Sequence, residues 1–311
     1  MGPQGPPGVS ERRLSYGYVV NICDDTVTPI NGTDGLAEPP ISLPNAPTYS
    51  IAINANTHHA YIPSYNDSVV DVVDVDANQV IATVPVGPNP SILDVNPNTN
   101  RVYVPNTNGN TVSVIDGASN AVIATIPSSL RPHAAAVNAV MNREYVINDG
   151  TRDLSVIDGA TNVLTRVVSF SASIPWYVAV NPNTNTVYVA STDGIFWVVN
   201  AAAGAVVDFF GLPTDYPSGL AVDPKTNLIY VTGNNGIMVT INGNTNGIIN
   251  TQTLASRISG IAIDPDTNLV YISADLEQAM LLYNRVSNTI VNSIPVRCPT
   301  AVATVTKVSV G

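Results

Sequence analysis

Seven tyrosines pace this chain. Tyr18, Tyr61, Tyr103, Tyr145, Tyr188, Tyr230 and Tyr271 follow one another at steps of 43, 42, 42, 43, 42 and 41 residues. Ahead of most of them stands one phrase: NPNTNRVYV at 96–104, NPNTNTVYV at 181–189, DPKTNLIYV at 223–231 and DPDTNLVYI at 264–272. Weaker copies are NANTHHAYI at 54–62 and NAVMNREYV at 138–146. A period of this length, built only from strand signals, specifies propeller blades rather than a helical solenoid.

One copy resolves into four strands. Ser91–Val95 reads as strand A, Arg101–Pro105 as B, Thr111–Ile115 as C and Ala121–Ile126 as D. The NPNTN turn joins A to B, and polar loops with Asn-Gly or Asp-Gly pairs make the other connections, where positive φ is needed. Strand A carries a small residue two places before its turn: Ala52, Ala136, Ala179, Ala221 and Ala262, with Asp94 as the exception. Small residues suit the innermost strand, where blades converge and space is short.

Six complete A–D copies run from about Tyr49 to Val296. What remains is an A-like strand at Thr300–Val305 and B-, C- and D-like pieces at Tyr16–Ile22, Thr26–Ile30 and Leu36–Leu43. The fold expected is therefore all-β: a seven-bladed β-propeller of four-stranded antiparallel blades, closed 1+3 by the C-terminal strand joining the N-terminal strands. Closure removes two sheet edges that would otherwise invite aggregation. Residues 16–311 form this domain, and residues 1–15 read as a stub and linker.

The two cysteines of the chain fall at that closure. Cys23 ends strand B of the composite blade and Cys298 precedes its strand A, so antiparallel pairing brings both to one face. A disulfide between them is expected if the compartment is oxidising.

Composition removes several partners. The net charge is −11 and only two lysines are present, Lys225 and Lys307. Nucleic acid binding needs a basic stripe, which is missing. No apolar run is long enough to span a bilayer. The N-terminal MGPQGPPGVSERR has no apolar segment and does not read as a secretory signal.

The repeats, with YVPN at 103–106, VSVIDG at 112–117 and VIATIP at 122–127, resemble the YVTN-type β-propeller repeat family over residues 16–305. That resemblance implies the propeller fold. It also implies a surface-layer or adhesive role, although related propellers include enzymes. Gly2, Gly5 and Gly8 keep a period of three in GPQGPPG, which resembles the end of a collagen-like tract. Stalked bacterial spore-surface and cell-surface proteins combine such a tract with a globular head. A longer stalk would make the protein a trimer.

Catalytic and cofactor signatures are missing from the sequence: there is no P-loop, GxSxG, HExxH or dinucleotide glycine fingerprint. His58 and His59 occupy one A–B turn, but neighbouring strand residues point in opposite directions, so no metal is expected there. The Asn/Asp-Pro-x-Thr-Asn turns offer calcium-type oxygens. Their recurrence in blade after blade fits side-chain capping of the turn instead.

Departures from the repeat are more informative. Where strand A enters the channel from the D–A side, the residues are Tyr49, Ser91, His133, Trp176, Ser218, Ser259 and Thr300. The D–A and B–C loops of that face add Tyr65, Arg131, Arg152, Tyr177, Asp193, Asp215, Tyr216, Arg257, Glu277 and Arg297. Aromatics interleaved with arginines and acids suit a binding surface, with a protein or a glycan as the ligand. Asp94 beside the channel is either a hydrated carboxylate, an internal cation ligand or, with His133, a weak acid–base pair. The leading expectation is a non-enzymatic, surface-displayed head for adhesion, recognition or surface-layer structure, and no cofactor. The alternatives are a channel-centred lactonase-like hydrolase or lyase, and a structural subunit assembling through outer strands such as VIATVPV at 80–86.

Overall fold

The computed structural model describes residues 11–171, 173–214 and 216–310. The glycines of the collagen-like stretch and Asp215 lie outside the described residues. Seven antiparallel sheets follow one another around a ring, and each runs from an inner strand A to an outer strand D. Blade 1 joins the two ends of the chain. Its strand A is Pro299–Val310, its B Glu11–Asn21 and its C Thr26–Asn31. Blades 2 to 7 are continuous in sequence; blade 3, for example, comprises Asp94–Asn96, Arg101–Asn106, Thr111–Asp116 and Ala121–Pro127. The 1+3 closure is thus present, with Tyr18 facing Ala303 and Tyr16 facing Val305 across the ladder. The disulfide Cys23–Cys298 ties this seam, with Cα atoms 5.8 Å apart, inside the range a bridge permits.

Three details depart from the sequence expectation. Strand B of blade 1 begins at Glu11 and strand A runs to Val310, so the closing pair is longer than Tyr16–Ile22 and Thr300–Val305. Strand D of blade 1 is split into Leu36–Ala37 and Ile41–Ser42, both paired to strand C. Pro39 and Pro40 stand in the gap and have no amide hydrogen to give to a ladder. Strand A of blade 3 is only Asp94–Asn96. Upstream of it, the Ile92 amide donates to His133 O (3.1 Å) and Ile92 O accepts from the Ala135 amide (2.9 Å). Ile92 therefore pairs with the inner strand of blade 4.

The repeated residues hold blade to blade. All seven anchor tyrosines are at most 2% exposed. The Tyr18 hydroxyl donates to Val75 O in the C–D turn of the next blade (2.8 Å). Tyr61 and Tyr103 reach the equivalent turns at Gly117 and Gly159, where an added Cβ would lie 2.5 and 2.8 Å from the hydroxyl oxygen. A side chain at either glycine would crowd that hydroxyl and the turn's own Asn100 or Asn142, while Val75, Ala201 and Arg285 occupy the same place in blades 2, 5 and 7.

The NPNTN turn does similar work. Asn96 Oδ1 caps its own turn by accepting from the Asn98 amide (3.0 Å), while Asn96 Nδ2 donates to Asn142 Oδ1 of blade 4 (2.9 Å). The same inter-blade bond links Asn54 to Asn100, Asn138 to Asn185 and Asn181 to Asn227, at 2.7 to 3.0 Å. The last residue of the turn adopts positive φ in blades 2 to 6, 54° at His58, 53° at Asn100 and 49° at Asn142 among them, a conformation Asn tolerates better than most residues. The turn oxygens are thereby engaged in capping and blade joining. From blade 6 to blade 7 the ladder changes chemistry. There Asp223 forms a buried ion pair with Arg285, whose side chain is 9% exposed.

Candidate functional site

All seven strand A residues at the D–A end line one mouth. It has two lobes, of about 720 and 470 Å³. Tyr49, Trp176, Tyr177 and Ile22 border both, Ser218, Ser259 and Thr300 the larger, and Ser91 and His133 the smaller. These positions face the channel because strand A lies innermost and alternates its side chains.

Of the loop residues, Arg131, Tyr216 and Arg257 line the larger lobe and Tyr65 the smaller. Arg152 and Arg297 do not line either lobe; Arg297 bonds Asp24 on the exposed rim (2.8 Å). Asp193 accepts from the Ser173 hydroxyl (2.7 Å) and Glu277 from the Ser256 amide, so both serve their loops.

Two carboxylates complete the mouth that the sequence reading did not select. Asp149 receives Arg131 through Nε (2.8 Å) and Nη2 (3.2 Å). Asp275 receives Arg257 through Nε (2.7 Å). Each arginine comes from a D–A loop and each acid from the following B–C loop, 18 residues later. That shared spacing is the sequence signal that could have found them. Both acids are largely covered, at 7% and 10% side-chain exposure.

His133 stacks on Trp176 with ring centroids 3.9 Å apart. Its Nδ1 lies 3.4 Å from Ser91 Oγ, and its buried Nε2 has no partner. Burial lowers its pKa to about 4, with the Asp149 carboxylate opposing the shift, so the ring is neutral at pH 7. Burial also pushes the Tyr177 hydroxyl up to about 12. Tyr49 and Tyr216 are 61% and 62% exposed.

Asp94 is at the other end. It lines a separate cavity of about 280 Å³ with residues from the inner strands of blades 4 to 6. Its Oδ1 accepts from the Val95 amide and its Oδ2 from the Val137 amide, both at 2.8 Å. Burial raises its pKa to about 6 against the pull of those two amides. Val137 pairs with Glu144 across the blade 4 ladder. Glu144 is fully buried, and neither carboxylate oxygen has a partner. Burial first, then the charge of Asp94, hold its pKa well above the ordinary range. The repulsion acts on Glu144 because Asp94 ionises first, while Glu144 is still neutral.

Glu144 escaped the sequence reading although it also breaks the repeat. The residue before each of the other continuous-blade tyrosines is Ala60, Val102, Val187, Ile229 or Val270.

The structure does not bring His133 and Asp94 together as an acid–base pair. His133 borders the wide mouth, and four residues of strand, ~13 Å, separate it from Val137, which Asp94 touches. Among the described residues no group of three or more His, Cys, Asp or Glu is placed to hold a metal ion. The His58 ring bonds Asp76 (2.8 Å).

Residues 210–234 match the family described as Beta-propeller repeat. None of the curated proteins is significantly similar in sequence. Among solved structures, a chain of Kuenenia stuttgartiensis Hydrazine Synthase superposes with a TM-score of 0.75 at 18% identity, covering 90% of this chain and 92% of that one. AztD of Citrobacter koseri superposes with a TM-score of 0.75 at 10% identity, covering 95% and 99%. Apo AztD from the same organism gives 0.74 at 11% identity, over 96% and 99%. At such identities the likeness is one of fold, and this chain is a seven-bladed β-propeller with one stretch, 210–234, that matches the beta-propeller repeat.

Proposed function

We propose that this chain is a non-enzymatic recognition head that takes its ligand in the two-lobed mouth at the D–A end. One observation carries this reading. The seven strand A residues that break the repeat at that end converge on a single concavity rimmed by aromatics and Arg–Asp pairs. Concave sites of this size, apolar with a few fixed polar groups, are where ligands bind.

A hydrolase or lyase would need an acid–base pair at the mouth. Asp94 instead lines a separate cavity, Glu144 is buried on strand B, and the two acids of the mouth, Asp149 and Asp275, are held by arginines. The likeness to a hydrazine synthase chain is one of fold, and chemistry lives in sites rather than folds. Assembly through outer strands is less favoured, because the departures from the repeat concentrate at the mouth and not on strand D.

The finer reading is an extracellular protein of the YVTN-repeat type on a cell or spore surface, carried by a collagen-like stalk. Two facts are compatible with that location: the disulfide, and the lack of any helix among the described residues long and apolar enough to cross a membrane. Neither defines it.

The test is a combined substrate and ligand screen. Binding to an array, lost in Trp176→Ala with the melting temperature unchanged, is the expected outcome. A catalytic turnover lost in Asp94→Ala would replace this reading with the enzymatic one.

A further inference from the structure

We infer that the ligand of this mouth is an uncharged oligosaccharide, seated against Tyr49, Trp176 and Tyr216; the inference rests on the mouth being the recognition site. Three independent features of the lining select this chemistry.

The first is charge. Among the described residues, every ionised side chain lining the two lobes is matched there: Arg131 by Asp149 and Arg257 by Asp275. His133 is neutral in the smaller lobe. A phosphate, sulfate or carboxylate would need an uncommitted cation, and an amine an uncommitted acid, because a buried charge is costly without a partner. The chain's net charge of −11 further disfavours a polyanion.

The second is the pair of unmet hydrogen bonds. Asp275 Oδ1 and His133 Nε2 are buried without partners, one in each lobe. The carboxylate oxygen can only accept. The neutral imidazole nitrogen either donates or accepts, depending on the tautomer. A hydroxyl does both, so a polyhydroxylated ligand satisfies the two sites whichever tautomer is present.

The third is aromatic surface. Two tyrosines more than half exposed, with an indole between the lobes, leave ring surface at the mouth that folding has not covered. The faces of such rings carry the negative end of the quadrupole. The C–H face of a pyranose, with its hydrogens slightly positive, is complementary to them, and its hydroxyls point outward to the polar groups. Lobes of about 720 and 470 Å³ fall in the size range of small-molecule sites, whereas a stable protein partner needs a broad interface of about 800 Å² on each side.

The experiment uses the full chain on an array of uncharged oligosaccharides (glucans, xylans, mannans and chitin fragments), their sulfated, sialylated and uronic counterparts, and a protein array. Titration follows for any hit. The expected result is binding to an uncharged glycan, weakened at least about tenfold by Tyr49→Ala and by Trp176→Ala. Its affinity should change less than about twofold between roughly 50 and 500 mM salt, since no net charge is screened. Tyr49 is exposed, so Tyr49→Ala should melt as the parent does. Hits restricted to acidic glycans, with steep salt dependence, overturn the ligand class. Protein hits sensitive to Tyr49→Ala without glycan hits overturn it too, and leave the recognition reading standing. Silence on all arrays removes both.

Discussion

Replacing Glu144 by valine should stabilise the protein, and the gain should depend on pH. Valine is the residue that blades 3 and 5 carry at this place, Val102 and Val187, both fully buried. Glu144 is equally buried but has two unpartnered oxygens and faces the charge of Asp94. An unsatisfied buried polar group costs about 1–3 kcal/mol, and more when charged. A gain of about 2–4 kcal/mol near neutral pH is therefore expected, which for a chain of this size is about 4–8 °C in melting temperature. The neighbouring acid sets the scale: moving Asp94 from 3.8 to about 6 corresponds to about 3 kcal/mol. That is an upper figure, because its cavity admits water. Both carboxyls have raised values in the fold, so the folded protein holds their protons more tightly than the unfolded chain. The penalty is absent below the unfolded values and grows as pH rises through the folded ones. Glu144→Val should thus help most at about pH 8 and least at about pH 4. His133 works in the opposite sense. Its lowered value makes it stabilising above 6.5 and costs stability as pH falls toward about 4. It is common to both proteins and cancels in their difference. Thermal melts of parent and variant at both pH values decide the matter. A variant less stable than the parent at about pH 8, or a gain equal at both pH values, would refute the reasoning.

Two further outcomes follow from the seam. The Cys23–Cys298 bridge spans 275 residues, and in the chain-entropy model a loop of that length is worth about 5–6 kcal/mol. Unreduced, denatured protein should show no free thiol, and reduction should lower the melting temperature; two titratable thiols in fresh non-reduced material would reject the bridge. Deleting residues 299–311 removes strand A of blade 1 and uncovers Tyr18 and Val19 on the strand B edge. Cooperative melting should be lost, and a truncated protein with an unchanged transition would count against a closure that depends on this strand.

The ring was readable because its determinants are local and repeated. A buried tyrosine recurs in all seven blades and the Asn or Asp turn in the six continuous ones, each at the same register, so many copies of a weak signal add up to one architecture. The orphan A strand and the paired cysteines then fixed how the ends meet. Irregularities were less legible. Leu36–Leu43 has the apolar spacing of one strand, and only the missing amides of Pro39 and Pro40 divide it. Ile92 has no signal at all for its bond to His133, because the proximity of neighbouring inner strands is a property of the closed ring.

The site divides along the same line. Its seven inner residues could be selected as breaks in a repeat, and all seven meet at the mouth. Asp149 and Asp275 could not be selected that way, because loop carboxylates are common. Their role emerges only from the arginine each one holds, 18 residues earlier. This asymmetry has a physical origin in the two ends of the ring. At the A–B end, the first Asn of the turn uses its oxygen on its own loop and its amide on the next blade. A substitution there breaks a blade contact as well as a turn, so the sequence stays uniform and few polar groups remain for a ligand. At the D–A end the loop bonds between blades differ from one junction to the next, Asn89 to Tyr65 O at one and Thr107 to Pro132 O at another. Side chains there are free to differ from blade to blade, and different side chains around one axis are what an asymmetric ligand requires. In a propeller of this kind, the end where the repeat fails is the end to search for the ligand.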